Sequence, residues 1–228
     1  MRHSAKAQRI LLIVGFLAVH ADRGWPLATP NPVARHLIPL TSFQREFKIT
    51  AGKDQGRRVA LTSRPDLTNE KKSIIVFGDY AAVHLVRDQN GMLLLERLDL
   101  IKSHSYVVYE PSLPVLPVNL EAPGRFEQEA HYRMYNSETG RLKRSGRVTH
   151  SVQRISRSQF DTPAGPIDGF FVEMDHRMDM EYLSELRITL GLGCREGEGP
   201  VFGTGQYKVT RLGVFTETKK AAAGIIHR

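Results

Sequence analysis

Glu173, Asp175, His176, Asp179 and Glu181 bring five ionisable side chains into nine residues. Carboxylates beside a histidine can hold a hard cation through their oxygens, or divide acid and base work between them. A cation site needs several oxygens converging from one bent loop, and no glycine-bent loop of EF-hand type is present here. The same residues also read as the solvated face of two strands and their turn, and this is the favoured reading. Whether Glu173, Asp175, Asp179 and Glu181 bind a cation stays open at the level of sequence.

A second cluster is basic. Arg141, Lys143, Arg144, Arg147, Arg154 and Arg157 all precede the next acid, Asp161. On a strand hairpin, alternate members would share a face and could meet phosphate or sulfate. Charged residues also guard sheet edges against aggregation, and the lack of interleaved aromatic residues favours that role.

Signals for nucleophilic catalysis are missing. There is no Gly-x-Ser-x-Gly elbow, no His-Glu-x-x-His and no Walker loop. The nine histidines show no ligand spacing. His150 lies on an apolar row between Val148 and Val152, which reads as a satisfied core histidine. The glycine-rich stretch Gly191 to Pro200 could cradle an anion, but it is expected between strands, with no helix N-terminus to assist. Cys194 is the single cysteine, so no intramolecular disulfide can form. No catalytic, cofactor-binding or metal-binding residue is assigned on this basis.

The elements that would position these residues read as strands throughout. Ser73 to Phe77 is a short apolar run of buried-strand type. Ala82 to Arg87 and Met92 to Ile101 flank Asp88-Gln89-Asn90-Gly91, and the Asn-Gly pair tolerates positive φ, which predicts a hairpin. Ser105 to Tyr109 is another strand, after which Pro111, Pro114 and Pro117 are expected to interrupt the ladder and carry the chain to another edge. Phe126, Ala130, Tyr132 and Met134 alternate with Glu127, Glu129, His131 and Arg133. Ser137 to Gly140 is a turn. Val148, His150 and Val152 share a face, and Ile155 falls out of phase, which predicts a bulge near Gln153-Arg154.

Thr162 to Gly169 then joins two adjacent antiparallel strands. Phe170, Val172 and Met174 form one inward row, and Leu186, Ile188 and Leu190 another. Met180 to Leu190 reads as strand rather than helix, Gly191 to Pro200 as loop, and Tyr207 and Val209 as the start of a last strand. No internal repeat is visible.

The N-terminus carries the clearest address. Arg2, Lys6 and Arg9 precede the apolar run Ile10 to Val19, and Val19-His20-Ala21 ends in a small residue. This is the layout of a secretory signal peptide, and the run is shorter than the ~20 apolar residues of a bilayer span. Retention as an anchor is the alternative. No cysteine stands at the cleavage position, so a lipid-modified N-terminus is not expected. Without residues 1–21 the chain is 207 residues long, a size that suits one sandwich or barrel domain. Its charge falls from +8 to +5, since the leader holds three basic residues and no acid. That excess suits an anionic envelope surface, and nucleic acid is not an expected partner. Residues 22–35, which include the only tryptophan, Trp25, read as a flexible lead-in, residues 36–218 as the β domain and residues 219–228 as a frayed tail.

Three stretches together resemble the DUF3108-like family, a group of secreted bacterial proteins of unknown function. His36 to Phe43 is similar to an "aromatic-x-Pro-Leu-x-x-Gly" opening, with Ser42 standing where that pattern has glycine. Phe160 to Gly169 resembles a "V-x-T-Pro-Ala-Gly-x-Phe-Asp" strand-turn-strand unit. Gly193 to Val201 is similar to a "Pro-Gly-x-Gly-x-Val" turn, without the aromatic residues that precede it. The resemblance implies a curved antiparallel sheet akin to the half-barrels of lipoprotein carriers, and an envelope location. It implies no catalytic residues.

The sequence therefore predicts a mainly-β single domain, a curved antiparallel sheet or open β-barrel, exported to the periplasm or cell envelope. The expected role is non-enzymatic binding, with an apolar or lipid-like ligand on the concave face. The alternatives are a polysaccharide-active hydrolase or lyase using cleft carboxylates such as Glu173 and Asp175, and a structural partner in an envelope complex. No cofactor is expected, and the oligomeric state is not encoded in any of these patterns.

Overall fold

The computed structural model describes residues 42–51, 54–116, 126–162, 165–180, 183–193, 200–211 and 215–227. The leader, the lead-in and Cys194 lie outside them. Twelve strands follow one another: β1 (Phe43–Ala51), β2 (Arg58–Pro65), β3 (Lys72–Phe77), β4 (Ala81–Arg87), β5 (Leu93–Leu100), β6 (Ser105–Leu116), β7 (Phe126–Asn136), β8 (Leu142–Thr162), β9 (Gly165–Met180), β10 (Leu183–Gly193), β11 (Pro200–Arg211) and β12 (Phe215–His227). A 3-10 turn, Ile101–Ser103, joins β5 to β6. Each strand pairs antiparallel with the next, and β12 returns to β1, with Phe47 opposite Ile225 and Ile49 opposite Ala223. The expected mainly-β domain on one curved antiparallel sheet is what forms, and its first and last strands pair to close the barrel.

Alternation decides which face is inside. Phe47 and Ile49 of β1, Val59 and Leu61 of β2, and Ala130, Tyr132 and Met134 of β7 are buried in one continuous core. Glu127, Glu129, His131 and Arg133, the residues between and beside those of β7, are not buried. On β7 the apolar row is thus covered by the core and the charged row faces outward, the alternation of a sheet with one buried face.

Local turn chemistry explains the hairpins. Between β4 and β5 the Gly91 amide donates to the Asp88 carbonyl, and Asp88 Oδ1 accepts from the amides of Asn90 and Met92. Gly91 alone of that turn has positive φ, at 89°, so the Asn-Gly pair is not used as a two-residue mirror turn. Asn136 Oδ1 likewise accepts from the amides of Glu138 and Thr139 before β8. At the β8–β9 hairpin Gly165 has φ of 107°. The predicted bulge is present, as a register shift between Val152 and Arg154.

Several expectations are corrected. Pro111 and Pro114 do not carry the chain to another sheet: β6 runs through both, with Pro114 opposite Leu94, while Pro117 lies outside the described residues. Their effect is one-sided. Pairing of β6 with β7 stops at Glu110–His131, one residue before Pro111, which has no N–H to donate. Gly191 to Gly193 belong to β10, opposite Phe171 to Gly169, so only residues 194–199 separate β10 from β11, and these lie outside the described residues. The last strand is β12 rather than one starting at Tyr207. Residues 219–227, expected as a frayed tail, form its second half and pair with both β11 and β1. The tail misled because small residues carry little strand propensity, whereas here both neighbours' ladders hold them.

Candidate functional site

The polar centre of the lumen is a histidine pair. On β8 the inner row is Val148, His150 and Val152. On β9 it is Phe170, Val172, Met174, His176 and Met178. The register sets Val148 opposite Met178, His150 opposite His176 and Val152 opposite Met174. This confirms that Val148 and Val152 share a face with Val172 and Met174. The two histidines are 5% and 7% exposed, and their Nδ1 atoms are 3.2 Å apart. At that distance one ring donates an Nδ1–H to the bare Nδ1 of the other. His150 Nε2 is buried and meets no hydrogen-bond partner. Tyr109 from β6 presents an edge-to-face contact to His176, with centroids 5.9 Å apart.

Desolvation dominates the electrostatics. Burial pushes the His150 imidazole down to about 4, against the opposing influence of the Pro114 carbonyl and the Asp175 charge. Burial, followed by the neighbouring His150, lowers His176 to about 3. Both rings are therefore neutral across the physiological range, and each presents a lone pair rather than a cation.

The acidic cluster is taken apart by the strand. Glu173 is half-buried on the outer row, opposite Arg154 and Thr189. Asp175 is also on the outer row, opposite Ser151 and Arg187, and is covered to 4% exposure. His176, read with these acids in the sequence, turns inward instead. For Asp179 only the backbone is described, and Glu181 lies outside the described residues. No group of three or more His, Cys, Asp or Glu among the described residues is placed to hold a metal ion.

The basic cluster also divides. Arg147 and Arg154 are on the outer rows, opposite His131 and Glu173, while Lys143 reaches the β5–β6 turn and donates to the carbonyls of Ser103 and His104 and to Ser105 Oγ. Arg144 stands opposite inward-facing Met134, and Arg157 lies 5.8 Å from the centroid of the buried Phe170 ring. Since β8 is paired on both sides, it is no edge, and the edge-guard reading is withdrawn.

Two further clusters carried no sequence signal, because their members come from separate turns and strands. Where the β1–β2, β3–β4 and β5–β6 connections meet, Tyr80 is fully buried. Its hydroxyl donates to Asp54 Oδ2 and accepts from Arg57 Nη1, while Lys102 Nζ sits 3.7 Å from its ring centroid. Burial, then the Asp54 contact, pushes its hydroxyl up to about 12. This is a satisfied plug. On the outer wall a groove of about 660 Å³ is lined by Glu110, His131, Arg133, Ser145 and Arg147, where the β6–β7 ladder ends. An Arg133–Glu110 ion pair crosses it.

Comparison with known proteins adds little. No family model matches the chain, and no curated protein matches it. Among solved structures it is similar to a putative lipoprotein from Parabacteroides distasonis, with 10% identity and a TM-score of 0.34, over 82% of this chain and 96% of the other. At that TM-score the likeness supports no inference about function.

Proposed function

We propose that this chain is an exported, non-enzymatic binding protein of the periplasm or cell envelope, which receives its ligand in the barrel lumen. The observation that carries the reading is His150: its ring is buried on an otherwise apolar wall, with Nε2 left without a partner. A buried polar atom without a partner is costly, by about 1–3 kcal/mol, and a ligand that meets it recovers that cost. An apolar or lipid-like molecule with one polar head suits such a wall. The leader-like residues 1–21 and the resemblance to DUF3108-like proteins support export, and the net positive charge suits an anionic envelope surface. The hydrolase or lyase alternative is weaker, because Glu173 and Asp175 are on the outer rows and the histidines on the inner ones. An acid and a base on opposite faces of one sheet do not meet across a substrate.

The test is to express the full chain with its leader, purify it from the envelope fraction, and compare native with denaturing mass spectra. The expected result is a chain beginning at Asp22 that carries an apolar adduct released by organic solvent. A bare chain under gentle conditions, with nothing extractable, refutes the ligand. An intact Met1 to Ala21 segment on envelope material shows an anchor instead of a cleaved leader.

A further inference from the structure

Gln128 of β7 stands directly opposite His150, so β7, β8 and β9 contribute Gln128, His150 and His176 to one rung. Residues paired across strands share a face, and this rung is therefore on the lumen side. Gln128 is half-buried, and its Nε2 donates to the Ser112 carbonyl of β6 at 3.0 Å. That bond crosses from β7 to β6 beyond Glu110–His131, where their backbone ladder stops. We propose that this rung is the head-group subsite of the lumen, and that it takes a lipid with an uncharged, hydroxyl-bearing head, of the monoacylglycerol kind. The assignment rests on the lumen-ligand reading above and adds what the head must be.

The rung is a polar band on an apolar wall. Ala130, Val148 and Met178 lie on one side of it and Val152 and Met174 on the other, all of them buried. Side chains or one small ligand fill a barrel of about eight strands, and the diameter grows with strand number. Twelve strands enclose a wider lumen, which suits an acyl chain laid against these walls.

The chemistry of the rung selects the head. A glutamine amide has a second N–H and a carbonyl oxygen besides the group that bonds Ser112. In the Nδ1–H···Nδ1 bond between the imidazoles, the donor ring presents a bare Nε2 and the acceptor ring an Nε2–H. His150 Nε2 has no protein partner whichever role its ring takes. A hydroxyl both donates and accepts, so it satisfies that atom in either tautomer. Burial keeps both rings uncharged at neutral pH, and the Asp175 carboxylate is on the outer row. The rung therefore offers an ionised head no counter-charge, and burying an unpaired charge costs far more than burying a bonded hydroxyl. Carboxylate, phosphate and ammonium heads are disfavoured on that ground.

The test uses the delipidated full chain and three probes that share a chain length and differ in head: monolauroylglycerol, laurate and dodecylammonium. Binding is measured at neutral pH by calorimetry and native mass spectrometry, below the micellar concentration of each probe. The expected result is one monolauroylglycerol per chain, held at least tenfold more tightly than either charged lipid. Gln128→Met and His150→Leu, each checked by its melting curve, should bind monolauroylglycerol at least tenfold more weakly, with their affinity for laurate unchanged. Gln128 is only half-buried, so its variant keeps the test decisive if His150→Leu fails to fold. Equal or tighter binding of a charged lipid, or unaltered monolauroylglycerol affinity in folded Gln128→Met, overturns the head-group assignment and leaves the lumen reading standing. Uptake of none of the three overturns both.

Discussion

Lowering the pH should destabilise the protein through the His150–His176 pair, well before general acid unfolding. In the unfolded chain both imidazoles titrate near their ordinary value of about 6.5. In the barrel, burial holds them at about 4 and about 3. A histidine with a depressed folded value leaves stability unaffected above about pH 6.5. As pH falls below that, the unfolded state binds a proton that the folded state refuses, and stability declines until the folded value is reached. Each group costs about 1.4 kcal/mol per pH unit within that window. Two of them together remove about 3 kcal/mol between pH 7.5 and 5.5, a large part of a typical 5–15 kcal/mol stability.

Urea unfolding at pH 7.5, 6.5 and 5.5 measures this directly. The comparison is with His150→Gln/His176→Gln, which keeps hydrogen-bonding side chains but does not titrate. The wild type should lose stability across the series while the double variant stays nearly flat, which cancels contributions from carboxylates elsewhere. Parallel declines in the two proteins would refute the reasoning, because the pair would then be solvated or already charged in the folded state.

Three further outcomes follow from the strand geometry. Gly165→Val should lower stability by about 1 kcal/mol or more in thermal melts, because φ of 107° is unfavourable for a β-branched residue; an unchanged melting temperature removes the turn assignment. Gly169→Ala should cost about 1–3 kcal/mol in urea unfolding, since an added Cβ meets the Leu192 carbonyl and lies 2.7 Å from the Phe160 ring, and an unaltered midpoint would contradict that close approach. Glu173→Gln/Asp175→Asn should fold and leave ligand capture by the full chain largely intact, as read by the native mass spectrum; a folded variant that captures nothing would return the acidic cluster to the site.

What could be read from the residues alone was whatever depends on near neighbours. Alternation assigned Ala130, Tyr132 and Met134, and likewise Val148, His150 and Val152, to one face, because successive side chains of a strand must point to opposite sides. The slip at Ile155 disclosed the bulge because an extra residue reverses that phase. Gly91 and Gly165 marked turns because few other residues accept positive φ.

Tertiary structure decided what depends on register and closure. His176 looked like part of an acidic cluster until the β8–β9 ladder, shifted by its bulge, set it opposite His150, 26 residues away. The Tyr80 plug needed three separate connections brought to one end of the barrel. The second half of β12 read as a frayed end, since its alanines and glycine have no strand preference of their own. It is ordered by pairing with β11 on one side and β1 on the other, and those hydrogen bonds exist only once the whole sheet has curled far enough for its two ends to meet.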